Sequence, residues 1–394
     1  MIHIIDKANC CGCEACVQIC PQKCISLERD KEGFLYPIVN KSICIKCDLC
    51  EKVCPELNQY EERPPSEVIA ACNKDEECRY ASSSGGIFSF LAYRTIEAGG
   101  IVFGAKFDNQ WQVVIDSAET KDDLAPFRGS KYVQARIGDS YIRCKKYLDD
   151  GRQVLFTGTP CHIAGLKHYL RKSYRNLLTC DVICYGVPSP MVWRRYIEES
   201  VPSGIENITN IRFRDKRIGW KQFSFTIDYR DGGEIHTLTS PFNQNSYMCS
   251  FLGKLILRPS CHSCPAKNGK SHSDITLADY WGVDEVNPQV DDNKGLSLVL
   301  IRTEKGREAI TTNNLVCTSA NYEDVLKYNY SVVLSATPHP RRNKFFKAFA
   351  RSENVYPLIN KCLKRTLLDR MVTLVKDPGR VLRRIIRLFS SEQK

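Results

Sequence analysis

No apolar run in the chain approaches the roughly eighteen residues needed to cross a bilayer. The opening MIHIIDKANC lacks a basic region followed by an apolar core, so no signal peptide is expected. A cytoplasmic location is the expectation. No Gly-x-Gly-x-x-Gly follows a strand-like run and no Walker-type loop occurs, which argues against a standard dinucleotide fold. Neither paired carboxylates nor a Ser/His/Asp set stands out, which fits chemistry carried by cofactors rather than side chains. Charge of one sign is also missing from most of the chain. The net charge is +11, yet residues 341–394 hold 15 Lys/Arg against 4 Asp/Glu, and the other 340 residues carry 41 of each sign. A basic tail follows a neutral body. With no recognition motif beside the charge, nucleic-acid binding is not expected.

What the chain has in excess is cysteine, 21 in all. Without a secretion signal, cysteines belong to a reducing compartment and bind metal rather than each other. Two runs read Cys-x2-Cys-x2-Cys-x3-Cys-Pro: Cys10, Cys13, Cys16, Cys20 with Pro21, and Cys44, Cys47, Cys50, Cys54 with Pro55. This is the spacing of a two-cluster bacterial-type ferredoxin, in which the fourth cysteine of each run ligates the other cluster. Cys10, Cys13, Cys16 and Cys54 are therefore assigned to one [4Fe–4S] cluster, and Cys44, Cys47, Cys50 and Cys20 to its mate. The proline after each fourth cysteine turns the chain away. Zinc sites use pairs of Cys-x2-Cys and leave the third cysteine of each run without a task.

The expected architecture is mixed, α+β and α/β. Residues 1–58 form the small ferredoxin domain, with Phe34, Leu35, Tyr36 and Ile38 as a strand between the cysteine runs. Residues 59–67, with Pro64 and Pro65, read as a linker. From 68 to 350 strand and helix patterns alternate, which argues for an α/β body with parts at 68–150 and 151–350. SSSGGIFSFLAYRTIEAGG reads as a helix with the serines at its start and Gly99-Gly100 as its stop, followed by strands IVFGAKF and VVIDSA, a helix near 139–149, the strand QVLFTG, a helix from Cys161 to Tyr169, and the strand LLTCDVIC. Beyond 205, IRFRD, FSFTIDY and EIHTL, with Asp231-Gly232-Gly233 as a hairpin turn, predict an antiparallel insert. LSLVLIRT at 296–303 is a returning core strand. Residues 351–394 form a basic helical tail. In it Asp377 and Pro378 start a helix whose Val381, Leu382, Ile385, Ile386, Leu388 and Phe389 oppose Arg380, Arg383, Arg384 and Arg387. Such a helix suits the inner face of an anionic membrane or a docked position on protein.

Outside the ferredoxin runs, Cys161, Cys184, Cys261 and Cys264 stand in loops at the ends of predicted strands, where ligands collect in α/β sheets. Four thiolates gathered there suit a further [4Fe–4S] cluster or a structural zinc, and spacing leaves both open. Cys11, Cys24, Cys72, Cys78, Cys144, Cys180, Cys249, Cys317 and Cys362 read as buried small residues.

In order, VLFTGTPCHIAGLK, CDVICYGVPSP and LRPSCHSCPAKNGKSHSDITLADYWGV resemble the coenzyme F420 hydrogenase/dehydrogenase beta-subunit family. SSSGGIFSFLAYRTIEAGGIVFGA and FRGSKYVQ resemble its N-terminal part, so the likeness spans about 68–350. The resemblance implies an FAD beside a [4Fe–4S] cluster, with Cys161, Cys184, Cys261 and Cys264 as ligands of that third cluster. Flavin-binding candidates are Ser84, Gly85 and Gly86 at a helix start, the loop Gly129, Ser130 and Lys131, and Thr157, Gly158 and Thr159 before Cys161. Asp279, Tyr280, Trp281 and Gly282 could help wall the site. Tyr185 takes a place where relatives carry histidine and is given no acid–base role. His162, His262 and His272 read as surface or hydrogen-bonding residues.

The function expected is an iron–sulfur flavoprotein oxidoreductase. It would move electrons between a hydride carrier (deazaflavin or nicotinamide) or a reducible substrate, the flavin, a proximal cluster, two ferredoxin clusters and a redox partner protein. The alternatives are a non-catalytic electron-transfer subunit, with surface-polysaccharide assembly as a pathway by analogy, and a zinc-holding interaction protein.

Overall fold

The computed structural model describes residues 1–310 and 313–364. The amphipathic helix expected over 377–389 lies outside these residues. Among the described residues, no helix is long and apolar enough to cross a membrane.

Apolar alternation in the ferredoxin unit pairs β1 (Ile25–Arg29) antiparallel with β2 (Leu35–Val39). Two short helices, Ala15–Ile19 and Leu49–Lys52, carry the third cysteine of each run, Cys16 and Cys50. The unit is not a bead on a string. Phe34 and Tyr36 are buried in the same core as Tyr141, Trp193 and Phe346 of the body. Glu14 accepts the backbone N–H groups of Ile137 and Gly138 at 3.2 and 3.0 Å. Gln18 accepts those of Tyr141 and Ile142 at 3.0 and 3.2 Å, in the first turn of the body helix Ser140–Asp149. That turn has free backbone donors, and the ferredoxin unit satisfies two of them.

The body holds an eight-stranded mixed sheet. Its strands are β3 (Glu67–Asn73), β4 (Ile101–Phe107), β5 (Val113–Ala118), β6 (Val154–Gly158) and β7 (Leu177–Val182), followed after the insert by β11 (Ile275–Asp279), β12 (Ser297–Ile301) and β13 (Leu315–Ser319). The insert is a separate three-stranded antiparallel sheet of β8 (Ile208–Asp215), β9 (Ser224–Asp231) and β10 (Glu234–Pro241). The large sheet runs β13-β3-β12-β11-β7-β6-β4-β5. Four parallel neighbours, β4, β6, β7 and β11, form its centre, flanked by antiparallel strands on both sides. Every residue of β12 is buried, as a central strand covered on both faces requires, and the core strand expected at 296–303 is this one.

The helix after SSSGG begins later than the serines suggest. It spans Ile87–Glu97 with Gly86, at φ +84°, as its N-cap. Ser82–Ser84 form a loop, tied down where the Ser84 hydroxyl donates to Leu296 O at 2.8 Å. Residues 59–66 form no regular element but are held: Tyr60 stacks between His168 and His272, each at 4.3 Å. The first part of the tail is packed too. In the helix Val355–Leu363, Val355 and Ile359 are buried, and Tyr356 stacks on Tyr196 at 4.7 Å.

Candidate cofactor site

The parallel strands β6, β7 and β11 end on one side of the sheet, and the loops leaving them line a cavity of about 600 Å³. Thr157, Gly158 and Thr159 come from β6, Ile183 to Val187 follow β7, and Asp279 and Trp281 follow β11. The carboxyl ends of parallel strands are the general location of ligand sites in α/β sheets. Ser84 and Gly86 enter from the loop before the helix Ile87–Glu97, and Gly129, Ser130 and Lys131 from the loop after β5. Eight of the nine flavin-binding candidates thus share one wall. Gly85 does not line the cavity: its N–H is taken by the Ser297 hydroxyl at 2.9 Å, and a Cβ there would lie 2.3 Å from Ala71 O. Its role is close backbone approach to the sheet. Tyr280 is buried in the core, whereas Trp281 faces the cavity and stacks on Trp220 at 5.2 Å.

One end of the cavity is cationic. Lys131 is half-buried and lines the cavity, donating to Arg128 O at 3.0 Å and Gly129 O at 3.1 Å. No carboxylate pairs with it among the described residues, and burial lowers its ammonium to about 7. Ser83 and Ser130 are joined beside it by hydrogen bonds of 2.6 and 3.0 Å. Arg214, on β8, forms a two-pronged pair with Asp279 at 2.7 and 3.1 Å and lies 4.0 Å from the Phe223 ring centroid. Three buried polar atoms on this wall have no hydrogen-bond partner: Arg128 Nε, His162 Nδ1 and Arg214 Nε. Burial holds the His162 imidazole down to about 4, so it is neutral. It is a buried wall residue, not the surface residue its polarity suggested. The other two histidines are hydrogen-bonded as expected, His262 to Ala336 O at 2.6 Å and His272 to Glu61 O at 3.0 Å. Phe223, Phe242, Phe251, Tyr132 and Trp281 supply broad apolar faces.

Cys184 lies on the cavity wall, and the other three cysteines of its set stand close behind. Cys161, Cys184 and Cys264 all push the Cys261 thiol up after burial has done so, and Cys161 and Cys184 act likewise on Cys264, which reaches about 12. The fold therefore brings together Cys161 from the first turn of the helix Pro160–Leu170 that follows β6, not the loop expected, Cys184 from the β7 loop, Cys261 from the turn Pro259–His262 and Cys264 just after it. Among the described residues, no three His, Cys, Asp or Glu side chains form a group set to hold a single metal ion.

Among the ferredoxin cysteines, burial, then Cys10, Cys54 and Cys50, raise the Cys16 thiol, and Cys16 and Cys54 act likewise on Cys13. Cys20, Cys44, Cys47 and Cys50 line a second, small cavity. Two supposed packing cysteines prove to be neighbours of these sets. Cys24 Sγ lies 3.3 Å from Cys20 Sγ. Cys11 lies beside both Cys13 and Cys161, where the ferredoxin unit meets the body.

This is an iron–sulfur protein with an α/β body. Residues 9–57 match the 4Fe-4S dicluster domain, and residues 151–323 match the family described as the C terminus of the coenzyme F420 hydrogenase/dehydrogenase beta subunit. A region similar to that C terminus thus follows a domain for two [4Fe–4S] clusters, the make-up of an electron-transfer protein of the oxidoreductase type. Among solved structures it is similar to a chain of the xenon-derivatized F420-reducing [NiFe] hydrogenase complex from Methanosarcina barkeri. The likeness has 17% identity and a TM-score of 0.46, over 76% of this chain and 91% of that one. No curated protein matches it.

Proposed function

We propose that the chain is an iron–sulfur flavoprotein oxidoreductase that exchanges electrons between a hydride carrier or reducible substrate and a redox partner protein. The observation that carries this reading is the 600 Å³ cavity with an anion-seeking end, aromatic walls and Cys184 on its lining. Its donor set fits FAD. Lys131, Ser83 and Ser130 would hold the pyrophosphate, since the buried ammonium has only carbonyl oxygens for partners. His162 Nδ1, Arg128 Nε and Arg214 Nε are left to donate to, or accept from, the ligand's polar edge, because buried polar atoms otherwise cost free energy. Trp281, Phe223 and Phe251 would pack against a planar ring and keep water away. Cys161, Cys184, Cys261 and Cys264 would hold a third [4Fe–4S] cluster against this wall. A bound flavin accepts electrons as a hydride pair and passes them singly, which is the chemistry that joins a hydride carrier to one-electron centres. The neutral His162 cannot supply a fixed charge there, so Lys131 and the Arg214–Asp279 pair set the field.

The test is iron, acid-labile sulfide and flavin per chain, on protein purified without oxygen. Three cubes predict about 12 iron atoms with one FAD. About eight iron atoms and no flavin would leave the electron-transfer subunit as the function.

A further inference from the structure

Arg258 is fully buried, with none of its surface exposed. Its side chain leaves the body three residues before Cys261 and enters the ferredoxin unit. Nε donates to Cys10 O at 2.7 Å, Nη2 donates to Leu35 O at 3.0 Å and lies 3.5 Å from Cys10 Sγ, and Nη1 donates to Gln134 Oε1 at 3.0 Å. The guanidinium lies 4.3 Å from the Tyr36 ring centroid. Gly12, at φ +74°, makes room for it: a Cβ there would stand 3.0 Å from Arg258 Cζ.

A guanidinium stays charged in any protein interior, and a buried charge needs an opposite one. Among the described residues, no carboxylate forms an ion pair with Arg258. Glu14 and Glu56 lie within electrostatic range, but burial pushes both carboxyls up, Glu56 to about 7. The anionic group Arg258 touches is the Cys10 sulfur. No arginine or lysine hydrogen bond reaches Cys20, Cys44, Cys47 or Cys50 among the described residues. The donors that reach that set are uncharged: the Ile2 backbone N–H lies 3.3 Å from Cys50 Sγ, the Cys24 thiol lies 3.3 Å from Cys20 Sγ, and backbone N–H groups around Cys20 point at its sulfur. Hydrogen bonds to cluster sulfurs and nearby charge set a cluster's reduction potential.

We infer that Arg258 raises the reduction potential of the cluster ligated by Cys10, above the value it would have without this contact, by hydrogen-bonding its sulfur and fixing a positive charge against it. Reduction adds one electron and no proton, so the reduced cluster gains the most from that charge. Because Arg258 also leads into the Cys261 turn, the electron is drawn to the cluster nearer the body.

The role of Arg258 rests on Cys10 being a ligand, and a Cys10→Ser chain tests that assignment separately. Its EPR spectrum must change at one cluster only; no change overturns the assignment. The effect of Arg258 itself is tested by EPR-monitored potentiometry on the full anaerobic chain. In Arg258→Gln the cluster marked by Cys10→Ser should lose about tenfold in its reduced-to-oxidised ratio at fixed potential, equivalent to a drop of about 59 mV for one electron. The Cys44 cluster should hold its midpoint. In Arg258→Lys, which keeps the charge but not the fork, the ratio should fall about threefold, half as far on the same logarithmic scale. This variant carries the test should the glutamine chain fail to load iron. Arg342→Gln disturbs the same seam without touching sulfur and should leave both midpoints in place. An unmoved Cys10 cluster in the loaded arginine variants, or an equal shift in Arg342→Gln, would overturn the inference.

Discussion

Arg342, in the helix Arg342–Phe349, reaches across the chain to Glu32 in the ferredoxin unit. Its Nη1 donates to Glu32 Oε1 at 3.1 Å and its Nη2 to Oε2, while Nε and Nη2 also donate to Leu257 O at 2.9 and 2.7 Å. One guanidinium thus fastens the two cysteine-bearing parts at the residue just before Arg258. A two-pronged pair of this kind is stronger than a lysine contact. Removing it strands a carboxylate in a half-buried place, at a cost of about 2–3 kcal/mol, below that of breaking a fully buried pair because Glu32 keeps some water. Arg342→Leu should lower the denaturant midpoint without changing iron content, and Arg342→Lys should recover only part of the loss. Equal midpoints for all three chains would show that the seam does not depend on this pair.

Tyr60 gives a second prediction. Its ring lies between His168 and His272 at interplanar angles of 7° and 18°, and burial keeps both imidazoles below their ordinary range. Two aromatic pairs contribute about 0.5–1.5 kcal/mol each beyond area. Tyr60→Ala should therefore make the 59–65 segment a site of limited proteolysis while both iron–sulfur parts stay loaded. A cleavage pattern identical to the parent's would sink this assignment.

These two contacts mark where the sequence stopped being legible. QYEERPPSE has the composition of a loose linker, and only the distant positions of His168 and His272 show it pinned. The strands were legible because LSLVLI and VLFTG are continuous apolar runs that a covered sheet demands. The cysteine runs were legible because cluster spacing is local in the chain. Arg214, Arg258 and His162 were not, since a buried polar residue looks in sequence like a solvated one. Arg214 had one faint signal: in IRFRD it follows Phe213, and both are buried at the end of β8, where simple alternation would put one of them in water.

Cys11 and Cys161 separate ligation from contact. Cys11 is buried beside Cys161 and Cys13, yet the spacing assigns it to no cluster. Cys11→Ala should therefore keep the parent's iron content, with about 1 kcal/mol lost for one small buried group. Cys161→Ala should lower the iron content by the share of one cube, about four atoms. Loss of iron in Cys11→Ala would make it a ligand and displace one of the assigned four.

Lys131 makes flavin retention depend on pH. Its ammonium is lowered to about 7 by burial, so in the ligand-free chain it carries charge below that value and loses it above. A pyrophosphate beside it would stabilise the charged form and raise its pKa, so binding takes up a proton as the pH climbs. The sign follows: affinity is highest below pH 7 and falls above it. By linkage the dissociation constant for FAD should rise about tenfold from pH 6 to pH 8 when the bound form titrates two units higher. The folding contribution has the opposite slope. The ordinary lysine value lies above the folded one, so the unfolded chain binds more protons between about 7 and 10.5, and stability without ligand rises through that window. Lys131→Met should flatten the affinity profile and weaken binding at pH 6. Fluorescence quenching of added FAD, read across pH 6–8 for both chains, separates the cases. A parallel fall in both would place the titrating group elsewhere, and a flat profile in both would mean that Lys131 does not face the anion.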